Sequence, residues 1–451
     1  MSMRDIFVFA VVFGSLPFIL KKPYIGIYMW SWLGYMNPHR LAWGLAYDFP
    51  FAFVVAIVTL VALVFSREPK RIPWTRESIV LLLLIMWMLV TTIFSFHPQM
   101  AWLQMEKVAK IQLMIFLTMV LINTREKIET LVLIIALSLG FYGIKGGIFT
   151  IVHGGVYRVQ GPLGTFIGGN NEIALALIMT IPLIWYLHMN AKKIWQRHAY
   201  TAAMFLCAIA VVGSQSRGAL VGGLAMGAFL WLKTRNKLFT GLIMALAVAA
   251  IVSIMPAAWY QRMDTIDTYQ SDASAQGRIN AWWTAYNLSK DRPLVGGGFD
   301  TFQPDVFKIY APNPWNVHDV HSIYFEMLGE HGYVGFGLFM LLAWLTWRKG
   351  ARIIRECGKD LERKWAADLA RMLQVSMIGF ASAGAFLGLA NFDLYYHLIA
   401  IMVMIGAVAL KQTSAVGKVV MTPVRTAPQP FVRRGMDRTN RIDRNKATYD
   451  R

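Results

Sequence analysis

The sequence predicts an all-α integral membrane protein of about 12 transmembrane helices, with one large, partly helical loop between spans. Three observations carry this prediction. Of its 451 residues 56% are hydrophobic and only 15% charged, too few charges to cover a soluble protein of this size. Aromatic residues make up 13%, with 16 Trp, and Trp and Tyr gather at the two lipid–water interfaces. The Lys and Arg behind the net charge of +19 cluster in short segments between apolar runs, which points to membrane topology and away from nucleic acid. The two cysteines, Cys207 and Cys357, form no disulfide framework and no metal-ligand spacing.

A helix needs about 20 apolar residues to cross a hydrocarbon core. Runs that meet or approach this occupy 51–65, 78–96, 107–122, 128–150, 172–189, 199–213, 217–232, 238–256, 322–347, 372–390 and 394–411. The stretch after Arg4 lacks a small-residue cleavage site and reads as a first membrane segment, not a removed signal. Within 5–36, two shorter apolar pieces are split by Lys21-Lys22-Pro23. They read as one crossing broken at Pro23, the alternative being two crossings with the N-terminus outside. Five stretches follow: N-terminal membrane helices over 1–120; central helices with an outward 153–171 loop over 121–256; the large loop over 257–321; C-terminal helices over 322–411; and a basic tail over 412–451. The tail is expected to be disordered, either simply solvated or drawn to anionic headgroups.

Basic residues mark every second connection: Arg67, Lys70, Arg71 and Arg76; Arg125 and Lys127; Lys192, Lys193 and Arg197; Lys233, Arg235 and Lys237; then 348–371 and the tail. The positive-inside rule therefore puts the tail in the cytoplasm and the 257–321 loop outside.

With that orientation, the informative residues are polar groups at the outward ends of spans, where charge is costly without a partner or a task. Arg217 stands in the polar turn Gly213-Ser214-Gln215-Ser216-Arg217-Gly218. It is either an anchor snorkelling to headgroups or a fixed cation suited to bind phosphate bidentately. In the large loop, Gly277-Arg278 opens a stretch, 278–289, with the spacing of an amphipathic helix on the membrane surface. Gly296-Gly297-Gly298 lacks the Lys-Ser/Thr of a phosphate loop and reads as a turn that re-aims the chain.

His318-Asp319-Val320-His321-Ser322 precedes the next span. Two histidines at i and i+3 share a helix face, with Asp319 pointing elsewhere, but two ligands make only a fragment of a metal site. One His at a helix start suits proton transfer better. Glu326 and Glu330, about one and two turns on, either orient the imidazole, pair with an arginine, or form a polar stripe between helices. Arg158 lies in the glycine-rich 153–171 loop, which either closes over a substrate or merely connects; Asn37, His39 and Arg40 offer less.

These motifs resemble a known family. Ser214-Gln215-Ser216-Arg217-Gly218, a long loop two spans later, Gly277-Arg278, Gly296-Gly297-Gly298-Phe299, His321-Ser322 and Glu330-His331-Gly332 together resemble the bacterial O-antigen ligase and polymerase superfamily, specifically the lipopolysaccharide O-antigen ligases. The front end, from Met3-Arg4-Asp5-Ile6 to Pro38-His39-Arg40, is similar to O-glycosylation ligases of exosortase systems. One departure stands out: many members carry Asn after the loop histidine, where this chain has Ser322.

The resemblance implies a GT-C-like enzyme of the bacterial inner membrane, with a periplasmic loop and active site. It would take a glycan from undecaprenyl diphosphate and transfer it to a sugar hydroxyl of lipid A–core, without metal, nucleotide or other cofactor. His321 would be the general base, and Arg217 and Arg278, with Arg158 in reserve, would bind the diphosphate. Ser216, Glu330 and His318 would support them. An O-antigen polymerase and a protein O-oligosaccharyltransferase are rivals within the superfamily. A transporter is the rival from another class, but it calls for functional charges near mid-membrane, whereas here they gather at outward ends.

Overall fold

A computed structural model describes residues 2–234, 236–253, 255–257, 259–260 and 273–410. The basic tail and the loop stretch 261–272 lie outside the described residues. Among those described, every regular element is a helix. We number the main ones α1 (Met3–Lys21), α2 (Tyr24–Met36), α3 (Phe51–Phe65), α4 (Arg76–Ile93), α5 (Pro98–Leu121), α6 (Arg125–Val152), α7 (Asn170–Asn190), α8 (Ile194–Gly213), α9 (Arg217–Lys233), α10 (Lys237–Ser253), α11 (Ala273–Asp291), α12 (Pro304–Tyr310), α13 (Ile323–Cys357), α14 (Lys364–Ala383) and α15 (Asp393–Ala409). Among the described residues, six helices are long and apolar enough to cross a membrane, with shorter apolar helices such as α3 and α15 beside them. The all-α membrane reading is borne out. Its physical basis is that a helix satisfies its own backbone where lipid offers no partner.

Local sequence starts several helices. Ser2 caps α1 in a reciprocal box with Asp5 (Asp5 N–H to Ser2 Oγ 3.1 Å, Ser2 N–H to Asp5 Oδ2 2.6 Å). Thr75, Thr124 and Ser216 cap α4, α6 and α9. Each such cap contributes about 1 kcal/mol.

One expectation is corrected. Residues 5–36 are not a single crossing broken at Pro23 but a hairpin of α1 and α2. Arg4 donates to the Leu41 carbonyl (2.9 Å) and the Ala46 N–H donates to Asp5 Oδ1 (3.2 Å), so α1 starts where α2 ends. At the other end of α2, Tyr28 donates to the Lys127 carbonyl (3.0 Å). A proline disfavours helical geometry in the residue before it, and Lys22 is extended (φ −140°, ψ 91°), so the chain reverses there. Lys21 and Lys22 thereby join the basic end of the bundle.

Two ends result. The basic end gathers Lys127 with Glu68 (3.1 Å), Arg125 over Trp365 and the buried Lys349–Glu77 pair (2.5 Å) between α13 and α4. The other, which we call the loop end, gathers 37–50, 94–97, 153–169, 214–216, the outer helices α11 and α12, and 384–392. There Val159 N–H donates to the Gly213 carbonyl (3.0 Å) and Asn170 Nδ2 to the Ser214 carbonyl (2.9 Å). Between the ends, small residues let helices approach, since apolar surface alone does not drive helix association in lipid. A Cβ on Gly147 would lie 2.3 Å from the Leu206 carbonyl oxygen, and one on Gly222 would lie 2.5 Å from Ala383 Cβ.

The expected helix over 278–289 is present but longer, and protein takes up its apolar stripe. Ala281 and Ala285 of α11 pack with Phe307 of α12 and Val320, and Trp282 stacks on Phe325 of α13 at 5.3 Å. The triple glycine does re-aim the chain. Gly297 and Gly298 N–H groups donate to the Gly329 and Glu330 carbonyls (2.8 and 2.9 Å). They meet α13 at its bend, Gly332, where φ is +64°. Gly298 itself has φ +81°, a region open to glycine.

The hairpin makes a labelling prediction. Single cysteines introduced at Leu45, Leu163 or Ile309, all exposed at the loop end, will react with a membrane-impermeant thiol reagent added from one side. A cysteine at exposed Lys22 will react only from the other side. Labelling of positions 22 and 45 from the same side would overturn the hairpin. Cys207 and Cys357 are buried and give a low background.

Candidate active site

His321 sits in a short non-helical run just before α13, which starts at Ile323. The expected shared helix face of His318 and His321 is therefore absent. Val320 is pinned in the small core beneath α11, and His321 takes a left-handed backbone, φ +40°. That conformation is uncommon for a residue other than glycine, though His is among those that adopt it. It turns the ring back over Asp319, whose Oδ2 lies 3.6 Å from His321 Nδ1. The side chain of His321 keeps 32% exposure, so part of the ring edge faces solvent. Among the described residues no group of three or more His, Cys, Asp or Glu is placed to hold a metal ion.

His318 has turned away. Its Nδ1–H donates to its neighbour's carbonyl, Val317 O (2.7 Å), and its ring covers Gly277 of α11, where a Cβ would lie 1.7 Å from His318 Cδ2. This contact seats the start of α11 on the 317–322 run. Arg278, the next residue, brings a positive charge to His321. Burial lowers the imidazole below its ordinary value; Asp319 raises it, Arg278 lowers it, Glu172 at the start of α7 raises it, and His318 lowers it.

Arg217 is the first residue of α9, half-buried, behind the Ser216 cap (Ala219 N–H to Ser216 Oγ 3.2 Å). The turn before it is locked by Gln215, φ +57°, whose amide donates to the Gly155 carbonyl (3.1 Å). Gly218 rests on Phe386, where a Cβ would lie 2.9 Å from Phe386 Cβ. Two residues on, Gly388 backs the histidine: a Cβ there would lie 3.5 Å from Asp319 Oδ2 and from Glu326 Oε2, and 3.7 Å from His321 N. The 384–391 turn thus joins the Arg217 turn to the His321 turn.

Not all the predicted groups gather here. Arg158 is exposed on the 153–169 loop. Glu330 is buried at the bend of α13, where Oε1 accepts the Asp300 N–H (2.9 Å), so it holds the glycine turn and not the imidazole. Glu326 accepts the Ala390 N–H (3.0 Å) and braces the 384–391 turn. Sequence reasoning passed over two carboxylates that face His321, Asp319 and Glu172. No spacing in the sequence marks Asp319, because its approach goes with the left-handed backbone of His321.

Residues 202–340, which contain Arg217, Arg278 and His321, match a family model described as O-Antigen ligase. Residues 3–192 match a family of unknown function (DUF5935). No curated protein matches the chain.

The seating of α11 gives a stability prediction. Gly277→Ala drives a methyl into His318 and should cost about 1–3 kcal/mol as an overpacked contact. Gly223→Ala, where nothing lies within 4 Å, should be neutral or slightly stabilising. Thermal unfolding in detergent reads both, and equal midpoints would contradict the packing.

Proposed function

We propose that this chain, which carries an O-antigen ligase region over residues 202–340, transfers a glycan from undecaprenyl diphosphate to a sugar hydroxyl of lipid A–core at the loop end of its bundle. The observation that carries the reading is a partly exposed histidine, His321, at that end, on which the cation of Arg278 acts electrostatically. Both substrates are amphipathic lipids, so they reach such a site sideways from the bilayer. The loop end faces the periplasm in this reading, because the basic connections, now including Lys21 and Lys22, lie at the opposite end.

The reaction follows from the parts. His321 takes the proton of the acceptor hydroxyl, and the oxygen attacks the anomeric carbon from the face opposite the diphosphate. The bond from that carbon to the diphosphate oxygen breaks, its electron pair leaves with the lipid diphosphate, and the configuration inverts. Negative charge grows on the leaving group, where Arg278 and Arg217 stabilise it; the N-terminus of α9 adds its dipole. Arg158 is a reserve contact on the rim, and Ser216 keeps the Arg217 turn in shape. A positioned base contributes about 10²–10⁴-fold and one electrostatic donor about 10²–10³-fold.

The decisive test is transfer by the purified protein from carrier-linked glycan to lipid A–core in excess chelator. Product formation supports both the reaction and its metal independence. Transfer only to a second carrier-linked glycan makes the protein a polymerase, and modification of protein hydroxyls makes it a protein O-oligosaccharyltransferase. His321→Ala, Arg278→Ala and Arg217→Ala should each lower the rate by at least about 10²-fold while the protein stays in the membrane; undiminished transfer removes that residue from the mechanism.

The pH profile is a further expectation. The base works only as neutral imidazole, and burial lowers His321 below 6.5. The rate should therefore rise with pH through an acid limb centred below 6.5 and be level at neutral pH. A limb centred above 6.5 would contradict a buried, uncharged base.

A further inference from the structure

We infer that Asp319 is the positioning carboxylate of His321: it holds the imidazole through Nδ1 and leaves Nε2 to meet the acceptor hydroxyl. The inference rests on reading His321 as the base, and it adds a residue to which that reading assigned no part.

The geometry is local and specific. Asp319 Oδ1 accepts the Val320 N–H (2.7 Å), which fixes the carboxylate and turns Oδ2 to the ring. Oδ2 stands 3.6 Å from His321 Nδ1, just beyond a hydrogen bond. Among the described residues Nδ1 is buried and has no hydrogen-bond partner. The left-handed backbone of His321 brings the two together; such a conformation carries strain that persists only where the surroundings impose it. Gly388 of the 384–391 turn lies beside this pair, where a Cβ would sit 3.5 Å from Oδ2, an ordinary contact distance.

Other titratable groups act on the histidine from the elements around it: Arg278 on α11, Glu172 on α7, and His318 in its own turn, although the ring of His318 lies against Gly277. Neither nearby glutamate is placed as Asp319 is. Glu172 lies against Gly169 in the first turn of α7, and Glu326 Oε2 is held by the Ala390 N–H. When His321 takes a proton, Nδ1–H and Oδ2 close by less than an ångström to a charge-assisted bond of about 2.7–2.9 Å. The carboxylate fixes the ring and stabilises the imidazolium until the proton leaves for water.

The test uses the full-length protein in detergent or nanodiscs, with Asp319→Asn, Asp319→Ala and Asp319→Glu. Asp319→Asn removes a negative charge, so the imidazolium is less favoured and the acid limb should move down by about half to one pH unit. It should also lower kcat by about 10–100-fold with little change in KM, and Asp319→Glu should recover part of both. In parallel, the Cε1 resonance of His321, assigned by its loss in His321→Gln, should titrate at lower pH in Asp319→Asn. The resonance requires no turnover, so it reads the Asp319–His321 contact even if His321→Ala still transfers glycan and the reading of the base falls.

An acid limb and a Cε1 titration both unmoved in Asp319→Asn would overturn the proposal. A lowered Tm with an unchanged profile would do the same, leaving Asp319 a merely structural residue. Should Asp319→Asn not accumulate, Asp319→Ala against Asp319→Glu gives the same reading, with the shift expected only where the charge is lost.

Discussion

The bend of α13 at Gly332 is the constraint on which the loop end depends. Gly332 breaks the helical geometry with φ +64°, and the carbonyls of Gly329 and Glu330 just before it accept hydrogen bonds from outside the helix. In or near lipid an unpaired carbonyl is costly. The glycine turn answers it: the N–H groups of Gly297 and Gly298 take those two carbonyls, and the Tyr333 N–H takes Pro293 O. Phe96 N–H closes the crossing on the Gly297 carbonyl, Thr91 bonds His331 Nδ1 (2.7 Å), and Trp87 donates to the His331 carbonyl (3.0 Å). Three segments far apart in sequence are tied at one place. The outer helices are thereby anchored to the bundle by backbone bonds that depend on no charge.

The rest of the site is built on that anchor. Once α11 is tied down beside α13, Gly277 receives the ring of His318, and Arg278 is set beside His321. Once the 384–391 turn is braced by Glu326, its glycine backs the histidine and its Phe386 meets the start of α9. Gly277 against His318 and Gly218 against Phe386 are close approaches that a Cβ would block, so packing holds these parts of the loop end in place. Rigidity matters to an electrostatic mechanism, because donors set in place before the reaction spend nothing on reorganising during it.

Charge is segregated along the bundle. The Lys349–Glu77 pair between α13 and α4 is buried, and removing one member of such a pair costs about 3–5 kcal/mol. It belongs to the basic end, far from the candidate chemistry. At the loop end the cation of Arg278 and the carboxylates of Asp319 and Glu172 all act on one residue, His321, so both signs of charge are present there. His321 stands between the two signs, with Asp319 and Glu172 raising its proton affinity and Arg278 opposing them.

Composition and charge periodicity were enough to read an all-α membrane bundle, one large loop, and the placing of Arg217, Arg278 and His321 near ends of helices. Those properties are local: apolar run length reports a span, and the sign of each connection reports its side. The hairpin of α1 and α2 was not readable, because Lys21-Lys22-Pro23 permits either a kink or a reversal, and the bonds of Arg4 and Asp5 to 41–46 decide between them. Nor were the parts of Asp319, Glu172 and Glu330 legible. A helical reading of 318–321 sends Asp319 away from His321, whereas in the non-helical run His321 has φ +40° and its Nδ1 lies 3.6 Å from Asp319 Oδ2. Sequence by itself determined the kinds of group at the loop end. The tertiary structure alone decided which of them meet, because that depends on which distant backbone atoms must find partners at the bend of α13.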